Sequence, residues 1–181
     1  MARVRLVAPG AGTSEQEAVF AEVGRQRGGV GHLFQAMIHS PGATRQVGAL
    51  GAYVRFDATL PAALRETVIL AVAGRWQCAY ELRHHRPLAA RLGLPDAQVT
   101  ALSEGQVPTD LPPLETAAVR YAQALTRDAH ADADVVEGLR AELGETGLVE
   151  LTVLIGYYSL LAMFLNGLDV DLDPDPPLPP A

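Results

Sequence analysis

The chain has 181 residues, a formal net charge of -7, 49% hydrophobic and 19% charged residues. That length fits one ordinary domain with its own core, and the composition excludes an intrinsically disordered chain. The arginines are scattered with no dense basic block, so nucleic acid is not an expected partner.

Cys78 is the single cysteine, which excludes an intrachain disulfide framework or a thiolate metal cluster and suits a reducing compartment. The N-terminus lacks the apolar run of a signal peptide. The most apolar stretch, 147–168, is interrupted by Glu150, Gly156, two tyrosines and Asn166. These features give the expectation of a soluble cytoplasmic protein with no membrane partner.

Residues 1–12 read as an extended lead-in. Ser14 and Glu17 have the form of a capping box for a first helix that carries Val19, Phe20 and Val23 and stops at Gly28-Gly29. Leu33, Phe34, Met37 and Ile38 stand at helical spacing. Ser40-Pro41 then opens another helix running to about Arg55. Asp57 or Thr59 is the expected cap of a helix with Pro61 in its first turn and an apolar face of Leu64, Val68, Ile69, Val72 and Ala73.

Gly74 and Trp76-Gln77 mark a break that puts Cys78 near the start of the next helix, which Gly93 closes. A short helix from Pro95 to Leu102, a connector over 105–113, and helices over 114–126, 133–143 and 148–168 complete the pattern. No period-two runs bounded by hairpin turns occur, so the expected fold is an all-α bundle of seven or eight helices over 13–172. The proline-rich segment 173–181 is expected to be a disordered tail.

The chemistry is concentrated in 66–85. Glu66 is followed after eleven residues by Cys78, after two more by Glu81 and after three more by His85. Glu81 stands three residues before His84 and four before His85, the spacings that share a helical face. A carboxylate beside an imidazole can take and give protons.

This spacing resembles the carboxymuconolactone decarboxylase and AhpD-like superfamily, whose peroxidase members carry E-x11-C-x2-C-x3-H and whose decarboxylase-like members show a YEWAHH-type run, here Tyr80 to His85. The likeness extends over GHLFQAMIHSPG (31–42), ALRETVILAVAGRW (63–76), HHRPLAARLGLPDAQVTAL (84–102) and YYSLLAMFLNGLDVDL (157–172). It implies an all-helical protomer that assembles into homotrimers or hexamers.

Glu81 replaces the second cysteine of the peroxidases, which removes the dithiol route. The resemblance then points to Glu66, Glu81 and His85 as a catalytic carboxylate and imidazole set. Such a set would act on a small molecule without cofactor or metal, by decarboxylation, dehydration, isomerisation or cyclisation of a lactone, aromatic or polyketide-like compound.

Competing readings stand beside these. Glu66 can instead form a structural ion pair with Arg65 or Arg120. Cys78 can be a pocket residue or a lone nucleophile. Glu81 with His84 or His85, plus His32, His39 or His130, could ligate a metal. His84, Tyr80, Trp76, Phe34, His32, Tyr157 and Asn166 are candidates to line the substrate site, or else to fill the core. A non-catalytic ligand-binding protein is the alternative of a different class.

Overall fold

The computed structural model describes residues 2–25 and 27–174. Eight helices and no strand occur among them: α1 (Ser14–Gly24), α2 (His32–Met37), α3 (Pro41–Ala52), α4 (Ala62–Arg75), α5 (Ala79–Arg91), α6 (Asp96–Ser103), α7 (Pro113–Asp128) and α8 (Ala133–Gly167). The all-α expectation therefore holds. The expected proline-rich tail falls from residue 175 onward outside the described residues.

The chain groups into two compact units, one from the segments up to Asp57 and from Phe164 onward, the other Ala58–Met163. In the first, α1 packs on α3, and Gly48 makes the approach possible, since a Cβ there would stand 2.4 Å from Val23 Cγ1. Arg27 is buried and donates to the carbonyls of Val23 and Gly48 while its guanidinium covers the Phe34 ring at 5.2 Å. Segments distant in sequence are tied here as well. Arg3 N donates to Leu168 O, and Asp173 Oδ1 accepts from His32 N.

The second unit is built on α4, which packs against α5, α6 and α7. Residues Leu64 and Glu66 through Gly74 are all buried, as expected of a helix with apolar residues on every side. Leu70 and Ala71 meet Ala89 of α5, Val99 and Leu102 of α6 and Val119 of α7. Glu150 of α8 is buried and accepts from both N and Oγ1 of Thr59.

Several boundaries differ from the sequence expectation for local reasons. The α1 capping box is Thr13 with Gln16, one residue earlier than Ser14 with Glu17. Glu17 is instead drawn to the backbone N–H groups of Gly10 and Gly12 in the preceding turn. That helix ends at Gly24, before Gly28-Gly29. Neither Asp57 nor Thr59 caps α4. Asp57 closes a π-helical turn, Tyr53–Asp57, that follows α3, Thr59 is held by Glu150, and Pro61 occupies the cap.

The two helices expected over 133–143 and 148–168 form the single element α8, whose helical path is interrupted at Gly144 (φ 68°, ψ 177°). By length and composition α8 could cross a membrane. Half of its most apolar window is buried inside the molecule, as in a core helix.

Candidate active site

The corner between α4 and α5 sets the geometry. Arg75 is the last residue of α4 and Trp76 its C-cap. Gln77 then takes the left-handed conformation (φ 49°) that reverses the chain, a position where a non-glycine residue is disfavoured. Cys78 follows as N-cap of α5, its N–H bonded back to Ala73 O at 2.9 Å. This reversal lays the first two turns of α5 beside α4.

Glu81 and His85 sit one turn apart on the buried side of α5, and Glu66 faces them from α4. Glu66 is 3%, Glu81 4% and His85 3% exposed, so all three are withdrawn from water. His85 Nδ1 stands 2.6 Å from Glu66 Oε2, and its Nε2 stands 3.4 Å from Glu81 Oε2. The imidazole is thus bracketed by two carboxylates, with the Tyr158 ring nearly perpendicular to it at 5.1 Å between ring centroids.

Burial opposes the charged imidazolium. The charge and hydrogen bond of Glu66, followed by those of Glu81, outweigh it and hold the His85 pKa above the ordinary histidine value. A raised native pKa means the folded chain holds this proton more tightly than the unfolded one. The stabilisation is therefore complete below about pH 6.5 and is lost as pH rises through the folded-state value. An NMR titration of the His85 ring is expected to give a midpoint above the ordinary range, with unfolding free energy declining over the same interval. A midpoint at or below about 6.5 would contradict this charge arrangement.

The remaining candidates divide clearly. Cys78 is buried at the corner. Burial pushes its thiol up to about 11, the backbone N–H of Glu81 pulls it down, the Glu81 charge pushes it up again and the Tyr80 N–H opposes that. Tyr80 is buried and stacks on His84, whose Nδ1 bonds Tyr80 O at 2.8 Å. His84 thus turns away from the relay while His85 enters it. Trp76 donates from Nε1 to Ser159 Oγ of α8.

Tyr157 is buried edge-on to Tyr158, and it is Tyr158, absent from the sequence candidates, that touches His85. The Tyr157-Tyr158 pair was the only signal for it, and adjacent helical residues point about 100° apart. His32, Phe34 and Asn166 belong to the other unit. There His32 Nδ1 bonds Asp171 O, Phe34 lies under Arg27 and Asn166 is exposed.

Glu66 spends its hydrogen bond on His85, and the Arg65 pairing is a long 4.0 Å contact. Arg120 is exposed on α7. Among the described residues no group of three or more His, Cys, Asp and Glu is arranged to hold a metal ion, so the proposed ligand set built on Glu81, His84 and the distant histidines is not assembled.

Residues 41–124, which span α3 to α7 and include all three relay residues, match the carboxymuconolactone decarboxylase family. Solved structures agree on the fold. The alkylhydroperoxidase AhpD core of an uncharacterized peroxidase-related protein from Ralstonia eutropha superposes with a TM-score of 0.81 at 18% identity, over 96% of this chain and 93% of that one.

A peroxidase-related protein from a Silicibacter species gives 0.77 at 15% identity, over 91% and 87%. A cysteine-to-alanine variant of the debrominase Bmp8 in complex with 2,3,4-tribromopyrrole gives 0.74 at 20% identity, over 97% and 96%. No curated protein matches the sequence. Peroxidase-related proteins and a debrominase therefore have this helical frame in common, and the frame alone does not choose a chemistry for this chain.

Proposed function

We propose that this chain is a member of the carboxymuconolactone decarboxylase/AhpD-like superfamily and a cofactor-independent acid–base enzyme that moves a proton at carbon in a small lactone, aromatic or polyketide-like molecule. The observation that carries the reading is the buried Glu66–His85–Glu81 cluster, in which Glu81 Oε2 stands 3.4 Å from the imidazole Nε2. In this reading the Glu81 carboxylate is the group offered to substrate.

In this scheme the Glu81 carboxylate takes a proton from a carbon next to a carbonyl, and the C–H electron pair passes into an enolate. The same proton, returned to another carbon, gives isomerisation. Given to a departing hydroxyl, it gives dehydration. An enolate that attacks a second carbonyl closes a ring as that carbonyl's π bond opens, and the alkoxide formed takes the proton back from Glu81. In decarboxylation the C–CO2 bond breaks, carbon dioxide leaves, and the electron pair left on carbon takes its proton from the Glu81 carboxylic acid. His85 supports the charge on Glu81, and Glu66 fixes the ring so that Nε2 faces Glu81.

A second reading, thiol chemistry at Cys78, draws on the peroxidase-related and debrominase likenesses and on backbone N–H groups of α5 directed at the sulfur. The elevated thiol pKa, about 11, argues against it. About one thiol in ten thousand would be ionised at pH 7. Cys78→Ser separates the two readings in a turnover assay against a panel of small lactones and cyclic β-keto acids. Retained turnover supports proton transfer, and its loss from a folded variant overturns it in favour of the thiol.

Self-association completes the proposal. Val149, Leu160 and Met163 project from α8 at 60%, 42% and 54% exposure, a row of apolar side chains that supports a homotrimer or hexamer. Light scattering on the purified protein measures the mass directly, and a monomer at micromolar concentration would contradict it.

A further inference from the structure

The chain carries a net charge of -7, yet that charge is unevenly spread. Between Glu81 and Asp96 the sequence holds three arginines, two histidines and no acid, whereas residues 128–145 hold six acids and one arginine. Arg83, Arg86 and Arg91 are exposed on the solvent side of α5, away from the buried Glu81 and His85. Leu92, 44% exposed, follows them at the helix end. The acids occupy the corner formed by the end of α7 and the first turns of α8.

Local pairing leaves charge on both surfaces. Arg86 donates from Nε to Ser103 Oγ, which itself donates to Val99 O, so a hydroxyl and not a carboxylate holds this guanidinium. Asp128 is taken by Arg127, and Glu137 and Glu145 share Arg140. Among the described residues Arg86 and Arg91 on one surface, and Asp132, Asp134 and Glu142 on the other, form no ion pair, and all five are exposed. The two surfaces therefore do not neutralise each other within one chain.

A second copy supplies the missing partner for each. Basic side against basic side, or acid against acid, would repel, so the attractive contact is head to tail. Arg86, already fixed by Ser103, loses little freedom on pairing, and Leu92 adds apolar surface to cover. We propose that the solvent side of α5 in one copy docks on the acidic α7–α8 corner of a second copy, a contact that generates a ring when its rotation closes. This rests on the self-association reading and adds a second surface to the apolar row of α8.

The test is the mass of the full chain by sedimentation and light scattering at low salt. Arg86→Glu/Arg91→Glu and, separately, Asp134→Arg/Glu142→Arg are each expected to weaken association by about tenfold or more, because each sets like charges opposite one another. All four substitutions in one chain reverse both surfaces together and are expected to restore it. Wild-type association in either folded double variant, or no recovery in the folded fourfold variant, overturns the inference.

Should a reversed chain not fold, the wild type decides. Salt at about 1 M, where the Debye length is about 3 Å, must weaken association, and association unchanged or strengthened by salt overturns the inference. Met163→Glu on α8 tells the two surfaces apart. An assembly broken by Met163→Glu and indifferent to both charge reversals overturns this contact and leaves the α8 row standing, whereas a monomeric wild type overturns both.

Discussion

Replacing Glu81 with glutamine is expected to lower turnover by about 10²- to 10⁴-fold, the range lost when a positioned acid–base group is removed. Glutamine preserves the shape and keeps an oxygen for His85 Nε2, but it has no carboxylate to take a proton. The side chain is 4% exposed and paired with the imidazole through one oxygen, so the loss should fall on the chemical step and leave the fold in place. Substrate KM should change little, since a fall in kcat and in kcat/KM together marks an interaction made in the transition state. Turnover assays on Glu81→Gln beside Cys78→Ser give the check. A Glu81→Gln enzyme with near-wild-type kcat would remove Glu81 from the chemistry.

The largest expected effect on stability belongs to Gly74→Ala. A Cβ at this position would stand 2.1 Å from Leu102 O, 3.0 Å from Gly105 N and 3.0 Å from the carbonyl carbon of Ser103. All three are backbone atoms at the end of α6 and cannot swing aside as a side chain could. Alanine gains about 1 kcal/mol in helix propensity over glycine, but forcing α4 and α6 apart costs about 1–3 kcal/mol or more.

The clash therefore wins, and urea unfolding of Gly74→Ala should show a lower midpoint. Gly138→Ala is the control, because a Cβ there meets nothing within 4 Å and should leave stability unchanged or slightly raised. Equal midpoints for Gly74→Ala and wild type would show that α6 is not closely applied to α4 at Gly74.

Much of this architecture was legible in the residues. The all-helical class followed from aliphatic periodicity and the absence of strand patterning. The corner at Gly74 to Cys78 was readable because Gly74, Gln77 and the polar restart at Glu81 interrupt an apolar run, and Gly93 does adopt the left-handed conformation (φ 88°) expected of a terminating glycine. The spacing of Glu66, Cys78, Glu81 and His85 brought the relay residues into view because Glu81 and His85 are one helical turn apart and α5 folds back on α4.

What was hidden depends on contacts distant in sequence or on single-residue choices. Thr13 rather than Ser14 caps α1 because the turn at Gly10 and Gly12 claims Glu17. Thr59 binds Glu150, ninety-one residues away, and no local pattern encodes that. The choice of Tyr158 over Tyr157 at His85 is a matter of helical phase fixed by how α8 packs. Phe34 could be read from sequence as pocket lining or, more in keeping with such aromatics, as core, and it is buried beneath the Arg27 guanidinium. Arg65 does pair with Glu66, but only at a long 4.0 Å to Oε1, because His85 takes the other oxygen at 2.6 Å.

The central claim is that Glu81, working through His85 and independently of Cys78, exchanges a proton with substrate carbon. The most direct measurement is deuterium incorporation at that carbon when substrate is incubated with enzyme in D2O and followed by NMR. Wild type and Cys78→Ser are predicted to load deuterium at comparable rates, while Glu81→Gln falls towards the uncatalysed rate. Exchange that survives Glu81→Gln and is lost in Cys78→Ser would contradict the account.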